Sequence, residues 1–242
     1  MSDGALDKRA VVLAGGRASR LKPYTVVLPK PLMPIGDYPI LEVIVRQLAK
    51  QGFGRITMAV NHQANLIKAF FGEGSQWGVE IDYSIESEPL STIAPLLLIA
   101  DLPDHFLLMN GDVLTDLDFN GFWESHVAAD RVFTIAAASR RETTEYGVLH
   151  INGDSLLSDF EEKPEKKYLV SMGVYMMSRR VLADVPPGKK YGFDDLMRDC
   201  LARKVPVHVL PHSGYWLDIG RPDDYMRAIE DFENGRQKFL LS

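Results

Sequence analysis

Glycine, arginine and lysine cluster near the amino terminus in a pattern suited to an anionic ligand. The segment Leu13-Ala14-Gly15-Gly16-Arg17-Ala18-Ser19-Arg20 joins an apolar run to a glycine turn. Glycines there let backbone N–H groups approach a phosphate or the edge of a base. Arg17, Arg20, Lys22 and Lys30 follow in close succession, and a guanidinium forms bidentate bonds to phosphate oxygens. Pro29-Lys30-Pro31 restricts the backbone on both sides of Lys30, and a rigidly held lysine beside a glycine loop suits a polyphosphate. The loop lacks the terminal Gly-Lys-Ser/Thr of a P-loop and the G-x-G-x-x-G of a dinucleotide fold. Gly72-Glu73-Gly74 fails the second pattern as well, because Trp77 stands where the third glycine belongs.

Carboxylates that could work with these cations come later in the chain. Asp112 follows the apolar run Phe106 to Met109 through Asn110-Gly111, and Asp218 lies within Trp216-Leu217-Asp218-Ile219-Gly220. Taken alone, each would read as a turn or helix-cap residue. The six histidines show no metal-ligand spacing, and His62, His208 and His212 read as surface or packing residues. Met172, Met176 and Met177 fall at strand positions and read as core.

These residues need a scaffold, and hydrophobic periodicity supplies one. Strands are expected over 10–14, 55–60, 79–85 and 106–109. Between them, Leu41, Ile44, Val45 and Leu48 share one helix face before Gly52, and further helices are expected over 64–71, 92–100 and 119–128. Such alternation implies parallel pairing through right-handed crossovers. The second half changes character, with strands expected over 132–138, 147–151 and 168–177 and helices over 194–203 and 222–232. The expected fold is α/β, a doubly wound, mixed but mainly parallel Rossmann-like sheet with a small appended, partly antiparallel lobe. A single domain spans 9–235, flanked by tails at 1–8 and 236–242. Ligands in such sheets bind beyond the carboxyl ends of the strands, where Gly15 and Gly16 fall.

The chain has 242 residues, 46% hydrophobic and 25% charged, values of a globular protein with a substantial core. Its 27 basic and 33 acidic side chains give a net charge of −6, against a protein that coats nucleic acid or an anionic membrane. The single cysteine, Cys200, supplies neither an intrachain disulfide nor a zinc set and reads as a buried small apolar residue in a reducing, cytoplasmic setting. Residues 1–8 form neither a signal peptide nor a transit segment, and the apolar run Ile93 to Ala100 is too short to span a bilayer.

Several blocks, read in order, carry a resemblance. Leu13-Ala14-Gly15-Gly16 through Arg20-Leu21, then Leu28-Pro29-Lys30-Pro31-Leu32, Asn110-Gly111-Asp112, Tyr146-Gly147-Val148, Phe160-Glu161-Glu162-Lys163-Pro164, Met172-Gly173-Val174-Tyr175 and Trp216-Leu217-Asp218-Ile219-Gly220-Arg221 resemble the signature of the sugar-1-phosphate nucleotidylyltransferases. The style is most similar to members that transfer GMP to mannose 1-phosphate and lack a carboxyl-terminal β-helix. The resemblance implies a nucleotidyltransferase fold whose lobe binds sugar, and transfer of a nucleotidyl group from a nucleoside triphosphate to a sugar 1-phosphate with release of pyrophosphate. It assigns catalysis to Arg20, Lys30, Asp112, Lys163 and Asp218, with Asp112 and Asp218 holding Mg²⁺. It assigns the nucleotide to Leu13, Ala14, Gly15, Gly16, Arg17, Glu86, Pro89 and Ser91, and the sugar to Gly147, Glu162, Lys163 and Gly173. Its partners are small molecules, with homo-oligomerisation left open.

The family places Glu86 and the following block along the base. Guanine presents N1–H and N2–H₂ side by side, and an ionised carboxylate is acceptor-only, so the two match and GTP is the expected donor. UTP, dTTP or CTP, or a non-sugar phosphate acceptor, are the alternatives. Ala18, Ser91 and Ala94 stand where the family commonly has glycine, which motivates a rival reading as a nucleotide-sugar-binding regulatory protein without turnover. Two carboxylates in one site repel each other, so removing either is expected to relieve the fold.

Overall fold

Short β-branched runs alternating with amphipathic helices give the computed structural model its layout, described for residues 8–16, 21, 25, 27–61 and 64–240. In chain order the elements are β1 (Arg9–Leu13), β2 (Pro34–Ile35), β3 (Tyr38–Pro39), α1 (Ile40–Lys50), β4 (Arg55–Val60), α2 (Ala64–Phe71), β5 (Glu80–Ile85) and β6 (His105–Asn110). There follow β7 (Val113–Thr115), α3 (Phe119–Ala128), β8 (Phe133–Thr143), β9 (Val148–Ile151), β10 (Leu157–Glu161) and β11 (Glu165–Ser178). The chain closes with α4 (Phe193–Ala202), β12 (Val207–His212), β13 (Trp216–Asp218), α5 (Pro222–Asn234) and α6 (Arg236–Leu240).

The central sheet has seven strands in the order β12-β8-β11-β6-β1-β4-β5. Only β11 runs antiparallel to its neighbours, β6 and β8; the other pairings are parallel. Both faces are covered, as the nearly continuous apolar sequence of β1 requires. Ala10 and Val12 pack with α1, α2 and α3 on one side. Val11 packs on the other with Leu108, Tyr175 and, from α4, Leu196 and Cys200, so the cysteine is a core residue as expected. A third cluster joins Ile35, Leu114, Leu217, Ile219 and Phe232 and holds α5 beside the short β7–β13 pair.

The α/β, doubly wound and mainly parallel architecture is as read from the sequence, and the appended lobe is the antiparallel β9–β10 hairpin with the exposed ends of β8 and β11. Several details differ. The helix expected over 92–100 is a 3₁₀ turn, Ala94–Leu98; Tyr191 O accepts both Ile93 N and Ala94 N and holds this short stretch against the 190s. Strand β12 carries Pro211 and two histidines and so presents no unbroken apolar run; it is an edge strand, where a proline is tolerated. The segment after 235, read as a tail, carries α6, whose Phe239 is buried against Phe232 and Tyr215.

Candidate active site

Strand β1 pairs with β4 on one side and β6 on the other, so the chain reverses its direction of sheet growth at β1. The carboxyl end of such a switch point opens a crevice, and here it is a cleft of about 400 Å³. Leu13, Gly15, Gly16, Lys30, Glu86, Pro89, Ser91 and Asp112 all line it. Ala14 is buried behind them, its N–H donating to Ala59 O at 2.8 Å. Arg17 and Arg20, with Lys22, Ala18 and His62, lie outside the described residues. Asn61 and Asn110 also line the cleft. Asn110 belongs to a block recognised in the sequence, but Asn61 had no motif to announce it and is found only because β4 ends beside β5.

The turn after β6 sets up the charged centre. Gly111 N donates to Leu13 O at 2.9 Å, and a Cβ on Gly111 would stand 2.9 Å from that same oxygen. Only glycine lets the two strand ends approach so closely, and Asp112 follows directly. Pairing of β7 with β13 places Asp218 opposite Val113, and Ile219 N donates to Asp112 O at 3.1 Å. Two aspartates more than a hundred positions apart in sequence thus occupy adjacent backbone positions. Asp116, just beyond β7, secures this ladder by accepting hydrogen bonds from Tyr215 N (2.6 Å) and His212 Nε2 (2.8 Å). Burial opposes its charge, but Lys238, His212 and the Tyr215 N–H outweigh that and hold its carboxyl below the usual range.

Asp112 Oδ2 accepts from Lys30 Nζ, and the two side chains are 22% and 12% exposed. The expectation that removing a carboxylate relieves repulsion therefore changes: Asp112 is neutralised by Lys30, and its loss strands a half-buried ammonium. Among the described residues, Asp112 Oδ1 is buried without a hydrogen-bond partner. Asp112 lines the cleft and Asp218 sits on the strand paired beside it, outside the lining residues; carboxylates are hard-oxygen donors of the kind that suit a cation taking its remaining ligands from phosphate and water. Among the described residues no group of three or more His, Cys, Asp or Glu side chains could hold a metal ion by itself.

The base side of the cleft is formed by β5 and the segment after it. Glu86 N donates to Val60 O, and Glu86 Oε2 accepts from Leu90 N at 3.1 Å, which fixes the carboxylate. Ser91 has φ +75°, a left-handed conformation that glycine adopts at lower cost. Thr92 Oγ1 accepts from Phe193 N and Leu90 O accepts from Tyr191 N, so the wall is tied to the start of α4.

The lobe residues sit apart from the cleft lining. Gly147 lies against Phe160 and Glu162: a Cβ there would come within 2.6 Å of the Phe160 ring and 3.3 Å of Glu162 Oε2. Lys163 is exposed with φ +45° and is not brought to Lys30 or Asp112. Gly173, φ +72°, occupies a bulge of β11 where a Cβ would stand 2.5 Å from Asn110 Nδ2, so it reaches the cleft through Asn110. Trp216 Nε1 donates to Met172 O and links β13 to that bulge.

Comparison with known proteins agrees with this geometry. Residues 9–235 match the family model described as nucleotidyl transferase. The chain belongs to the nucleotidyl transferase family. The resemblance to sugar-1-phosphate nucleotidylyltransferases drawn from its motifs thereby holds. One relative is a mannose-1-phosphate guanyltransferase of Schizosaccharomyces pombe, 32% identical over 90% of this chain and 62% of its own length; the chain thus spans less than two thirds of that protein. Another is a D-glycero-alpha-D-manno-heptose 1-phosphate guanylyltransferase of Campylobacter jejuni, 30% identical over 91% of this chain and 98% of its own. Among solved structures, HddC from Yersinia pseudotuberculosis, complexed with GMP-PN, superposes with a TM-score of 0.72 at 28% identity, covering 93% of this chain and 99% of that one.

Proposed function

We propose that this nucleotidyl transferase moves a nucleotidyl group from a nucleoside triphosphate, GTP by preference, to a sugar 1-phosphate, yielding a nucleoside diphosphate sugar and pyrophosphate. The observation that carries the reading is that Lys30 and its ion-pair partner Asp112 line the same cleft as Gly15, Gly16 and Glu86, with Asp218 on the strand paired beside Val113. The names of the relatives from Schizosaccharomyces pombe and Campylobacter jejuni support GTP and a sugar 1-phosphate as the substrate pair.

In the reaction an oxygen of the sugar phosphate attacks the α-phosphorus in line, the bond from that phosphorus to the bridging oxygen of pyrophosphate breaks, and pyrophosphate leaves. The nucleophile is already anionic, so no general base is needed, and positioning and charge neutralisation do the work. Lys30, held near the triphosphate by its prolines, neutralises charge developing on the departing pyrophosphate, with Arg20 of the glycine loop as its partner. Backbone N–H groups at Gly15 and Gly16 bind phosphate oxygens, with Leu13, Ala14 and Arg17 flanking them. Glu86, Pro89 and Ser91 receive the base. Lys163 grips the acceptor phosphate, while Glu162 and the Gly147 and Gly173 backbones bind sugar hydroxyls once the lobe closes on the cleft. Asp112 and Asp218 are the residues that would hold Mg²⁺, which when bound neutralises triphosphate charge and polarises the α-phosphoryl oxygens.

No helix among the described residues is long and apolar enough to cross a membrane; the lone cysteine, with no disulfide partner, supports a reducing, cytoplasmic setting for the reaction. The test is a pyrophosphate-release screen crossing four nucleoside triphosphates with a panel of sugar 1-phosphates in the presence of Mg²⁺. The expected result is release that requires both substrates and is fastest with GTP; equal release with and without the sugar phosphate overturns the reading.

A further inference from the structure

From Ser139 to Val170 no residue is buried. The stretch holds the exposed ends of β8 and β11 and the whole β9–β10 hairpin, and none of its side chains belongs to the clusters that make the core. Its hairpin is nevertheless two-faced. Leu157 pairs with Ile151 and Phe160 with Leu149; directly opposed residues share a face, as do residues two apart on one strand, so these four side chains form one apolar face. They are 63%, 64%, 52% and 64% exposed. The other face is polar, with His150 Nε2 2.7 Å from Glu161 Oε1. Tyr146 and Leu156, at the two ends of the hairpin, are exposed as well. A two-stranded hairpin with nothing packed on it is at best marginally stable in water, and among the described residues nothing covers this one. An apolar face of this kind marks a surface that meets another molecule.

The distribution of charge along the lobe selects the occupant. The strand ends, residues 139–143 and 165–170, carry four basic side chains, Arg140, Arg141, Lys166 and Lys167, against two acidic ones. The hairpin segment, residues 144–164, carries five acidic side chains against Lys163 alone. One end of the lobe is therefore net positive and the other net negative, on either side of an apolar face. A nucleic acid or an anionic membrane would be repelled by the hairpin end. A second copy of the chain, turned about a two-fold axis, sets each acidic hairpin beside the basic strand ends of the other. At about 100 Å² of exposed side chain apiece, the six exposed apolar residues of 146–160 present roughly 600 Å², and a polar rim brings this to the ~800 Å² that each partner gives a standard interface. We propose that residues 139–170 are a dimerisation arm, two copies of the chain packing their hairpin faces together about a two-fold axis. The second copy also completes the site: Gly147, Glu162 and Lys163 ride on this lobe, which has no core of its own and is held in place by the partner. That consequence rests on the acceptor reading of the lobe; the dimer itself does not.

The test is sedimentation velocity of the whole protein, without substrates, over roughly 1–100 µM. The wild type is expected to form a species of twice the 27.1 kDa chain mass. The double variant Leu149→Glu/Leu157→Glu, at positions already exposed, is expected to sediment as a monomer, with a cooperative thermal melt showing that it is folded. Lys166→Glu/Lys167→Glu and Asp159→Lys/Glu161→Lys are each expected to weaken the dimer, and an equimolar mixture of the two to restore it, because each acidic end then meets a basic one. In the monomeric variant the KM for the sugar phosphate is expected to rise about tenfold, since an acceptor binds in proportion to the fraction of lobe already ordered, while calorimetry shows GTP affinity unchanged. A wild type that stays monomeric throughout, as it would if a different protein covered this face, overturns the inference. So does a dimer that survives Leu149→Glu/Leu157→Glu, or a charge-swapped mixture no more dimeric than its components. An unchanged acceptor KM in the monomeric variant overturns the bracing of the site. A lobe dimer in a protein that transfers nothing to any sugar phosphate overturns the acceptor reading and leaves the dimer standing.

Discussion

Replacing Asp112 by Asn keeps its shape and removes the anion that Lys30 faces. The two side chains are 22% and 12% exposed, between the extremes for which costs are known. A solvent-exposed pair contributes up to about 1 kcal/mol, and breaking a fully buried pair costs about 3–5 kcal/mol. Asp112→Asn should therefore lose about 1.5–3 kcal/mol of stability, and Lys30→Met a similar amount, since it leaves a carboxylate with one oxygen already orphaned. The double variant should recover about 1–2 kcal/mol of the summed loss, because contacting charges couple whereas independent sites add to within about 0.5 kcal/mol. Urea unfolding followed by tryptophan fluorescence, in chelator and without nucleotide, measures all four proteins, and unchanged m-values certify that the folded and unfolded states stay comparable. A coupling below that additivity limit, or a gain in stability for Asp112→Asn alone, would show that repulsion between the aspartates dominates and that Lys30 is not the counter-ion. Asp112→Asn should also abolish pyrophosphate release, which separates its role in turnover from its role in the fold.

Lys163→Ala should raise the KM for the sugar phosphate about ten- to hundredfold, the worth of one charged hydrogen bond, with the KM for GTP unchanged in steady-state kinetics. Gly111→Ala puts a Cβ 2.9 Å from Leu13 O, so denaturant titration should show a loss of about 1–3 kcal/mol, and kcat should fall because Asp112 moves with the turn. His126 is fully buried beside Thr134, and burial, reinforced by neighbouring cations, pushes its pKa down to about 4. The unfolded chain therefore binds the extra proton between its ordinary value and about 4. Stability should fall as pH drops through that window, by at most about 1.4 kcal/mol per pH unit from this group, and urea midpoints for wild type and His126→Gln should converge toward pH 4.

Much of the scaffold was legible because parallel strands buried on both faces are written as unbroken apolar runs: β1, β4 and β6 announce themselves, and Gly15, Gly16 and Asn110-Gly111-Asp112 mark their carboxyl ends. What was illegible depends on partners far away in sequence. Strands β7 and β13 have three residues each, too few for any periodicity, yet their pairing is what sets Asp218 beside Asp112. The 3₁₀ turn at 94–98, where an α-helix was expected, is anchored from far along the chain, Tyr191 O accepting its first N–H groups. Asn61 carries no local signal at all; it matters only because β4 and β5 end in register. Lys30 was readable as a phosphate cation but not as the counter-ion of Asp112, since proline-fixed backbone says where a lysine starts and not where its ammonium ends.

The most direct test of the account is ³¹P NMR of a reaction containing the whole protein, Mg²⁺, GTP and mannose 1-phosphate or a heptose 1-phosphate. The account predicts that the sugar-phosphate resonance and the three GTP resonances decline together. In their place should rise, in equal amounts, the paired diphosphate signals of a GDP-sugar and the single signal of pyrophosphate. Conversion of GTP to GMP or GDP with the sugar phosphate untouched, or no change with either sugar phosphate under conditions where GTP is bound, would contradict it.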